Sequence, residues 1–418
     1  MNKINQIITL LESGKHEEAI RNYKQILVNG TNEERFMLGE ELFQYGFMEE
    51  AKLLFEKLLE TYPEEGELIV LLAETDIELG KEDEAILVLE KLPHDDPSYP
   101  QSLLLLADLY QMQGLFEVSE QKLLQAKAIL PNEVIIDFAI GELFAEQGKF
   151  LEARRAYEKV LEEEETIAGV NVNERMADIL SVGGAFEEAM PYFEKAMTDK
   201  IEINTLFGYA FTALQAGFNR MAIEKFNELK ELDPEYHSLY LHLAKAYEGE
   251  EELENSFNAI KMGMNQDEFN KELYYYGGKL ALKLGKEDEA ENLFREALAL
   301  DPEYVEVAIV LNKLLLRQER HKDVIEIIAM MEEYEEEEPR LLWDAAVAYE
   351  QLEEYSLALN KYNHAYTFFK EHPDFLSDYG YFLIEEGKTD DAIEVFNMLV
   401  KLEPTSLEYR DVIERLSE

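Results

Sequence analysis

The sequence LGKEDEA occurs twice in this chain, at residues 79–85 and at residues 284–290. Variants of it recur, among them SGKHEEA at 13–19, YGFMEEA at 45–51, QGKFLEA at 147–153 and EGKTDDA at 386–392. The residues that end the successive versions are Ala19, Ala51, Ala85, Ser119, Ala153, Ala189, Ala222, Ser256, Ala290, Val324, Ala358 and Ala392. These markers lie 32 to 36 residues apart, most often 34. A period of this length is typical of helix–turn–helix repeats.

Other columns follow the same period. A bulky residue stands four positions after the marker, as in Tyr23, Phe55, Leu89, Leu123, Tyr157, Phe193, Phe226, Ile260, Phe294, Ile328, Tyr362 and Phe396. A small residue stands twelve positions before it in most repeats, as in Gly39, Ala73, Ala107, Gly141, Ala177, Ala210, Ala244, Gly278, Ala346 and Gly380. Small residues let two antiparallel helices approach closely, and the bulky residue fills the space beside them. The pattern therefore predicts a chain of helical hairpins.

These columns resemble the tetratricopeptide repeat (TPR) family, and the resemblance covers nearly the whole chain as about twelve repeats. It implies an all-α fold, a right-handed α-α superhelical solenoid of helical hairpins. We expect residues 1–405 to form the solenoid. Residues 406–418 have apolar positions at helical spacing and are expected to form a C-terminal capping helix. The whole chain also resembles uncharacterised multi-repeat proteins of Gram-positive bacteria.

Some repeats depart from the pattern. Glu251 and Glu319 stand where the turn glycine is expected, and Asn312 replaces the small residue. Two segments are predicted hinges: the longer 36-residue step through residues 162–171, and the acidic run at residues 332–340. Helices tolerate such runs of like charge poorly unless they are solvated.

The composition limits the classes of partner. There are 90 acidic residues against 39 basic ones, which gives a formal net charge of -51. Nucleic acids and anionic membranes repel such a chain, whereas basic partners attract it. Cysteine is absent, so disulfides and thiolate metal sites are excluded. No long apolar run is present, and we expect a cytoplasmic protein without membrane insertion.

In the TPR family the first helix of each repeat lines a concave groove, and the resemblance implies the same here. One groove position is occupied in successive repeats by Glu40, Glu74, Asp108, Glu142 and Asp178, then Phe211, then Lys245, Lys279 and Lys313. Lys283 and Arg317 follow Lys279 and Lys313 by one helical turn. The sequence therefore predicts a groove that is acidic in the first half of the chain, with a basic patch near the third quarter.

A purely structural interpretation competes with this one. Acidic residues are so common that five in one column are only mildly unexpected, and they then serve as a solvated face. The lysines of the patch are less expected, but Glu272 and Glu306 are close enough in sequence to pair with them. Surface pairs of that kind contribute only about 0–1 kcal/mol.

Aromatic residues at groove positions are candidate anchors for a bound peptide. The strongest candidates are Phe207 with Phe211, and Trp343, the single tryptophan of the chain. The TPR subtype that captures a chaperone C-terminal carboxylate uses a cluster of Lys, Asn and Arg. The N-terminal repeats have acids at those places and the basic patch lacks the Asn partners, which argues against such a clamp.

The sequence shows no catalytic, metal or cofactor motif. Gly387-Lys388-Thr389 resembles the end of a phosphate loop, but Phe382 stands where the earlier glycine is required. The sequence thus predicts a non-enzymatic interaction scaffold or adaptor. Its partner is expected to carry a basic segment, as ribosomal or transcription-machinery components do. A self-associating structural solenoid and a co-chaperone or assembly factor are the alternatives.

Overall fold

A computed structural model describes residues 3–198, 200–332 and 338–417 of the chain. The fold is an all-α repeat solenoid, as the repeat pattern predicts. The chain divides into two compact units, Met1–Gly208 (unit 1) and Tyr209–Glu418 (unit 2). The division falls inside a helix, away from both predicted hinge segments.

Unit 1 consists of helical hairpins in chain order. Its elements are α1 (Lys3–Glu12), α2 (His16–Asn29), α3 (Asn32–Gln44), α4 (Met48–Leu59), α5 (Gly66–Glu78), α6 (Glu82–Leu89), α7 (Tyr99–Met112), α8 (Phe116–Ile129), α9 (Val134–Glu146), α10 (Phe150–Leu161), β1 (Thr166–Ile167), β2 (Val170–Asn171), α11 (Val172–Val182), α12 (Phe186–Ala196) and the first part of α13 (Ile203–Gln215). Odd-numbered helices are the first helices of their repeats, and each of α1 to α11 among them packs against the even-numbered helix that follows it.

Unit 2 continues the same alternation. It contains the rest of α13, then α14 (Asn219–Leu232), α15 (Leu239–Gly249), α16 (Leu253–Gln266), α17 (Lys271–Lys283), α18 (Glu287–Leu300), α19 (Val305–Arg317), α20 (His321–Glu332), α21 (Pro339–Gln351), α22 (Tyr355–Tyr366), α23 (Pro373–Glu385), α24 (Thr389–Leu402) and α25 (Leu407–Ser417). Helix α25 buries Val412 against the apolar core that α21 to α24 form.

The small and bulky columns meet inside each hairpin. A methyl group added at Gly39 of α3 would lie 2.7 Å from Cε1 of Phe55 in α4. In unit 2, one added at Gly380 of α23 would lie 2.9 Å from Cε2 of Phe396 in α24. Real Cβ atoms do not approach so closely, so glycine at these positions is what lets the aromatic ring fill the helix–helix contact.

The turn between the two helices of a repeat requires a residue in the left-handed backbone conformation, with positive φ. Gly285 adopts φ +73°, and the glutamates at the equivalent positions, Glu251 and Glu319, adopt +61° and +58°. Glu353 adopts +61° at the turn of the next repeat, which the sequence analysis had not identified as a departure from glycine. A non-glycine residue in this region carries a steric cost. The fold therefore imposes the turn geometry even where the sequence does not favour it.

The 36-residue step contains a short antiparallel hairpin. Thr166 pairs with Asn171 and Ile167 with Val170. Ala168 and Gly169 between them both have positive φ, as a two-residue type I′ turn requires. The Asn171 side chain accepts from the Asn173 backbone at 3.0 Å and donates to the Ala196 carbonyl at 3.3 Å, which ties the hairpin to α12. Of the other predicted hinge, residues 333–337 lie outside the described residues.

Candidate functional site

The five acidic residues at the predicted groove position all lie on first helices of unit 1. They are Glu40 on α3, Glu74 on α5, Asp108 on α7, Glu142 on α9 and Asp178 on α11, and we call them the acidic row. Asp108 is exposed and the other four are half-buried. Their shared position follows from the repeat period, because equivalent residues of stacked hairpins fall on the same face.

Desolvation disfavours the charged form of four members of this row. Desolvation raises the pKa of Glu40, Glu74 and Asp108 above the usual range. The same cause raises the pKa of Asp178 to about 6, where nearby Glu174 adds to the shift and Arg175 opposes it. The row therefore holds carboxylates that are incompletely solvated and incompletely neutralised.

Two contacts connect members of the row to neighbouring first helices. The Gln101 side chain on α7 donates to Glu74 at 3.1 Å. Arg175 on α11 has its Nε 3.4 Å from a carboxylate oxygen of Glu142. Glu142 also accepts from the Tyr157 hydroxyl. Within the described residues, Arg175 is the single cationic side chain that forms an ion pair with the row.

The predicted aromatic anchors differ in their exposure. Phe207 in unit 1 and Phe211 in unit 2 are half-buried, and the Phe211 ring lies 5.0 Å from the His242 ring. Trp343 is only 5% exposed. Its Nε1 donates to Asp378 at 3.0 Å and its ring packs edge-on against Phe375. The prediction that Trp343 is an exposed anchor is therefore wrong, because α23 and the segment before it cover the indole.

The basic patch lines a cavity of about 450 Å³ in unit 2, which we call the cationic cleft. Its walls are Lys279, Leu282 and Lys283 of α17 together with Val310, Lys313, Leu314 and Arg317 of α19. Four of the five predicted cations thus come together around one cavity. The aliphatic residues were not predicted, although each lies within one helical turn of a predicted lysine or arginine.

The four cations differ in their partners. Lys283 forms an ion pair with Glu248 of α15, and Arg317 forms one with Glu287 of α18 at 2.5 Å. Although burial acts to raise it, hydrogen bonds from Lys283 and Tyr276 bring the pKa of Glu248 below its usual range. These contacts fix one cation on each wall of the cleft.

Lys279 and Lys313 are exposed, and neither forms an ion pair with any described residue of the chain. The alternative that Glu272 and Glu306 neutralise them is therefore not realised among these residues. The Lys279 ammonium lies 5.0 Å from the centre of the Tyr275 ring instead. Two ammonium groups without an ion pair to any described residue therefore lie on opposite walls of the cleft, although the charge of Lys279 also acts on Glu248 and that of Lys313 on Asp344.

Lys245 on α15, the remaining predicted cation, is exposed and does not line the cleft. Burial lowers the pKa of His242 to about 4, and the charge of Lys245 adds to that shift. His242 is therefore neutral at physiological pH.

Polar groups also lie buried behind the cleft. Asn312 of α19 is fully buried and Asp344 of α21 is 1% exposed. Arg340 places its Nε 3.1 Å from the Asp344 carboxylate. Sequence reasoning noted Asn312 as a departure from the repeat but did not identify Asp344, since an aspartate in so acidic a chain gives no signal of burial.

Residues 3–198, 200–332 and 338–417 lack two further features. No helix there has both the length and the apolar character needed to cross a membrane. No cluster of three metal-ligating side chains occurs there either.

The chain matches known families of repeat proteins. Models of tetratricopeptide repeats match residues 42–109 and 281–348. Models of YpiA-like tetratricopeptide repeats match residues 111–165, and the corresponding C-terminal repeats match residues 339–406. The TPR repeat-containing protein YpiA of Bacillus subtilis (strain 168) is 42% identical over 415 residues, which cover 99% of this chain and 98% of that protein. The chain belongs to the tetratricopeptide repeat family and, within it, to the YpiA-like proteins.

Solved structures show weaker likeness. YrrB, described as a TPR protein with an unusual peptide-binding site, is 16% identical with a TM-score of 0.38, covering 44% of this chain and 95% of its own. The Cut9 and Hcn1 hetero-tetramer of the APC/C matches 100% of this chain and 97% of that chain at 12% identity, with a TM-score of 0.39.

Proposed function

We propose that this protein is a cytoplasmic, non-enzymatic interaction scaffold that binds a partner protein through a basic segment. The acidic row of unit 1 is the recognition surface. TPR proteins serve as protein-interaction scaffolds, and this chain shares their repeats. Ribosomal and transcription-machinery proteins are examples of partners with segments of the required charge. Direct binding of nucleic acid and membrane insertion are not part of the proposal.

The observation that carries the proposal is the desolvation of four members of the acidic row. Burial raises the pKa of Glu40, Glu74, Asp108 and Asp178 while Arg175 is the single described cation paired with the row. Such carboxylates cost stability in the free protein. A lysine or arginine side chain of a partner supplies the missing opposite charge, so the electrostatic attraction is recovered on binding.

The direct test uses the full chain and a fluorescein-labelled peptide of lysine, arginine and glycine, with binding followed by fluorescence anisotropy. A variant changes the row to amides: Glu40→Gln, Glu74→Gln, Asp108→Asn, Glu142→Gln and Asp178→Asn. We expect this variant to bind at least about tenfold more weakly, because several charge pairs are lost together. Affinity of the wild-type chain should rise from pH 5 to pH 7.5, since the pKa of Asp178 is raised to about 6 and its carboxylate ionises within that interval.

A matched control removes the same number of charges elsewhere in unit 1. Exposed acids outside the row and without an ion pair to any described residue are Glu17, Glu64, Asp83, Glu152 and Glu187. If their amide variant weakens binding as much as the row variant does, net charge alone attracts the peptide and the recognition surface is wrong. Capture from lysate with both variants then identifies the natural partner.

Self-association is the second candidate function, and exposed apolar side chains favour it. Leu87 of unit 1 is 60% exposed and Phe269 of unit 2 is 74% exposed. Sedimentation velocity over a dilution series separates the candidates, because an oligomer dissociates with dilution whereas a monomeric scaffold keeps one sedimentation coefficient. A co-chaperone or assembly factor is a variant of the scaffold, distinguished by the identity of the captured partner.

A further inference from the structure

The cationic cleft has the opposite chemistry to most of the chain. Four of the 39 basic residues line one cavity in a protein with a net charge of -51. Lys279 and Lys283 lie one turn apart on α17, and Lys313 and Arg317 lie one turn apart on α19. Like charges at this spacing repel each other by roughly 0.2–0.5 kcal/mol. Helix stability therefore provides no reason for either arrangement.

Internal ion pairs engage one cation on each wall of the cleft and leave the other cation of each wall without an ion pair. Glu248 and Glu287 engage Lys283 and Arg317, whereas Lys279 and Lys313 have no ion pair among the described residues. The cleft floor between them is aliphatic, formed by Leu282, Val310 and Leu314. A volume of about 450 Å³ lies within the usual range of ligand pockets, roughly 300–1,000 Å³.

The aliphatic floor decides which anion fits. A phosphate or a nucleic-acid backbone has no apolar group to place against the aliphatic residues, so it gains nothing from them. A peptide segment that alternates carboxylates with aliphatic side chains satisfies both features of the cleft. Its carboxylates meet the ammonium groups and its aliphatic side chain covers the floor, which removes apolar surface from water.

We propose that the cationic cleft binds an acidic peptide segment of a partner protein, with carboxylates paired to Lys279 and Lys313 and an aliphatic side chain seated against Leu282 and Val310. This site lies entirely in unit 2 and takes a ligand of opposite charge to the ligand of the acidic row. It is therefore independent of the proposed function. The scaffold then has two recognition surfaces of opposite sign.

The test is fluorescence anisotropy on the full chain at about 0.15 M salt, where charges more than about 8 Å away are largely screened. The probe is a fluorescein-labelled peptide in which glutamate and leucine alternate. We expect Lys279→Gln combined with Lys313→Gln to weaken its binding about tenfold, because two charge pairs are lost. A peptide with glutamine in place of glutamate, and one with serine in place of leucine, should both bind more weakly to the wild-type chain.

The control is Lys322→Gln with Lys401→Gln, two exposed lysines of unit 2 outside the cleft. This variant has the same net charge as the cleft variant and should bind the peptide as the wild-type chain does. Circular dichroism must show equal helicity and thermal midpoints for all three proteins, so that a loss of binding reflects the cleft. Binding of the basic peptide to unit 1 should be unchanged in the cleft variant.

Three results would overturn the proposal. The first is no binding of the acidic peptide, or equal weakening by the cleft and control variants. The second is displacement of the peptide by inorganic phosphate at equal concentration, which would make the cleft a simple anion site. The third is self-association of the wild-type chain that the cleft variant abolishes, which would make a second copy the occupant.

Discussion

At the residue scale, Asp344 shows how burial controls ionisation. Its carboxylate is 1% exposed, and burial raises its pKa from 3.8 to about 6 in spite of the opposing charge of Arg340. Asp344 lies on α21, the first helix of its repeat. In the preceding repeat, the fully buried Asn312 of α19 occupies the position that a small residue takes in most repeats. The buried carboxylate therefore makes local stability depend on pH.

We predict that Asp344→Asn raises stability near pH 7.5 and raises it only about half as much near pH 5, because the unfolded carboxylate is still largely ionised there. The pKa of Asp344 is higher in the folded chain, so the folded state binds more protons than the unfolded state between pH 3.8 and about 6. Stability thus rises as the pH falls through this interval, and the amide removes that dependence. The gain at pH 7.5 should be about 1–3 kcal/mol, measured by urea unfolding at both pH values.

Asp411→Asn is the control for this prediction, since it removes the same charge from an exposed side chain. General relief of charge repulsion would affect both variants equally. Equal pH profiles for the two variants would show that burial of Asp344 does not cause the effect.

At the element scale, the turn between α19 and α20 has a backbone conformation that its own residue disfavours. Glu319 adopts φ +58° there, in the region that glycine enters without steric cost. The Glu319 amide donates to the Leu316 carbonyl at 3.0 Å, and the Arg320 amide donates to the Leu315 carbonyl at 2.9 Å. These hydrogen bonds end α19 and hold Glu319 at positive φ, although glutamate disfavours that conformation.

We predict that Glu319→Gly stabilises unit 2 by about 0.5–1 kcal/mol, because relief of the left-handed strain exceeds the added entropy of the unfolded chain. Urea unfolding measures the change. The matched control is Glu326→Gly, an exposed position inside α20, where the same substitution should destabilise by about 1 kcal/mol. Effects of the same sign at both positions would contradict the explanation.

The repeat elements themselves were predictable from sequence, because most hairpins contain a local contact between a small and a bulky residue. Gly39 with Phe55 and Gly380 with Phe396 meet as the columns predict. The hairpin at 166–171 was not predicted. Its strands are two residues each, and the turn Ala168-Gly169 is a weaker signal than asparagine or aspartate followed by glycine.

At the scale of the whole molecule, net charge dominates. A charge of -51 on 418 residues repels itself in the folded chain, and added salt screens that repulsion. We predict that the thermal unfolding midpoint rises by several degrees as NaCl increases from about 0.02 M to about 0.5 M. Differential scanning calorimetry measures it, and KCl should act like NaCl at equal ionic strength. A falling midpoint would mean that the attractive ion pairs outweigh the net repulsion.

The candidate sites were only partly predictable. The period, together with the resemblance to TPR proteins, predicted the acidic row and the four cleft cations as groove residues, because equivalent residues of stacked repeats fall on one face. It did not indicate that Lys279 and Lys313 lack ion pairs while Lys283 and Arg317 have them. Those differences depend on the positions of Glu248 and Glu287, which lie on other helices, about one repeat away in sequence from the cations that they pair with.

By itself the sequence determined the all-α repeat architecture, the repeat boundaries and the sign of the charge on each stretch of the first helices, because these follow from local period and composition. Only the tertiary structure decided that Trp343 is covered, that Asp178 is desolvated, and that four cations surround an aliphatic cavity. Burial and charge pairing depend on contacts between helices of different repeats. A one-dimensional pattern records which face a residue occupies but not which side chain lies opposite it.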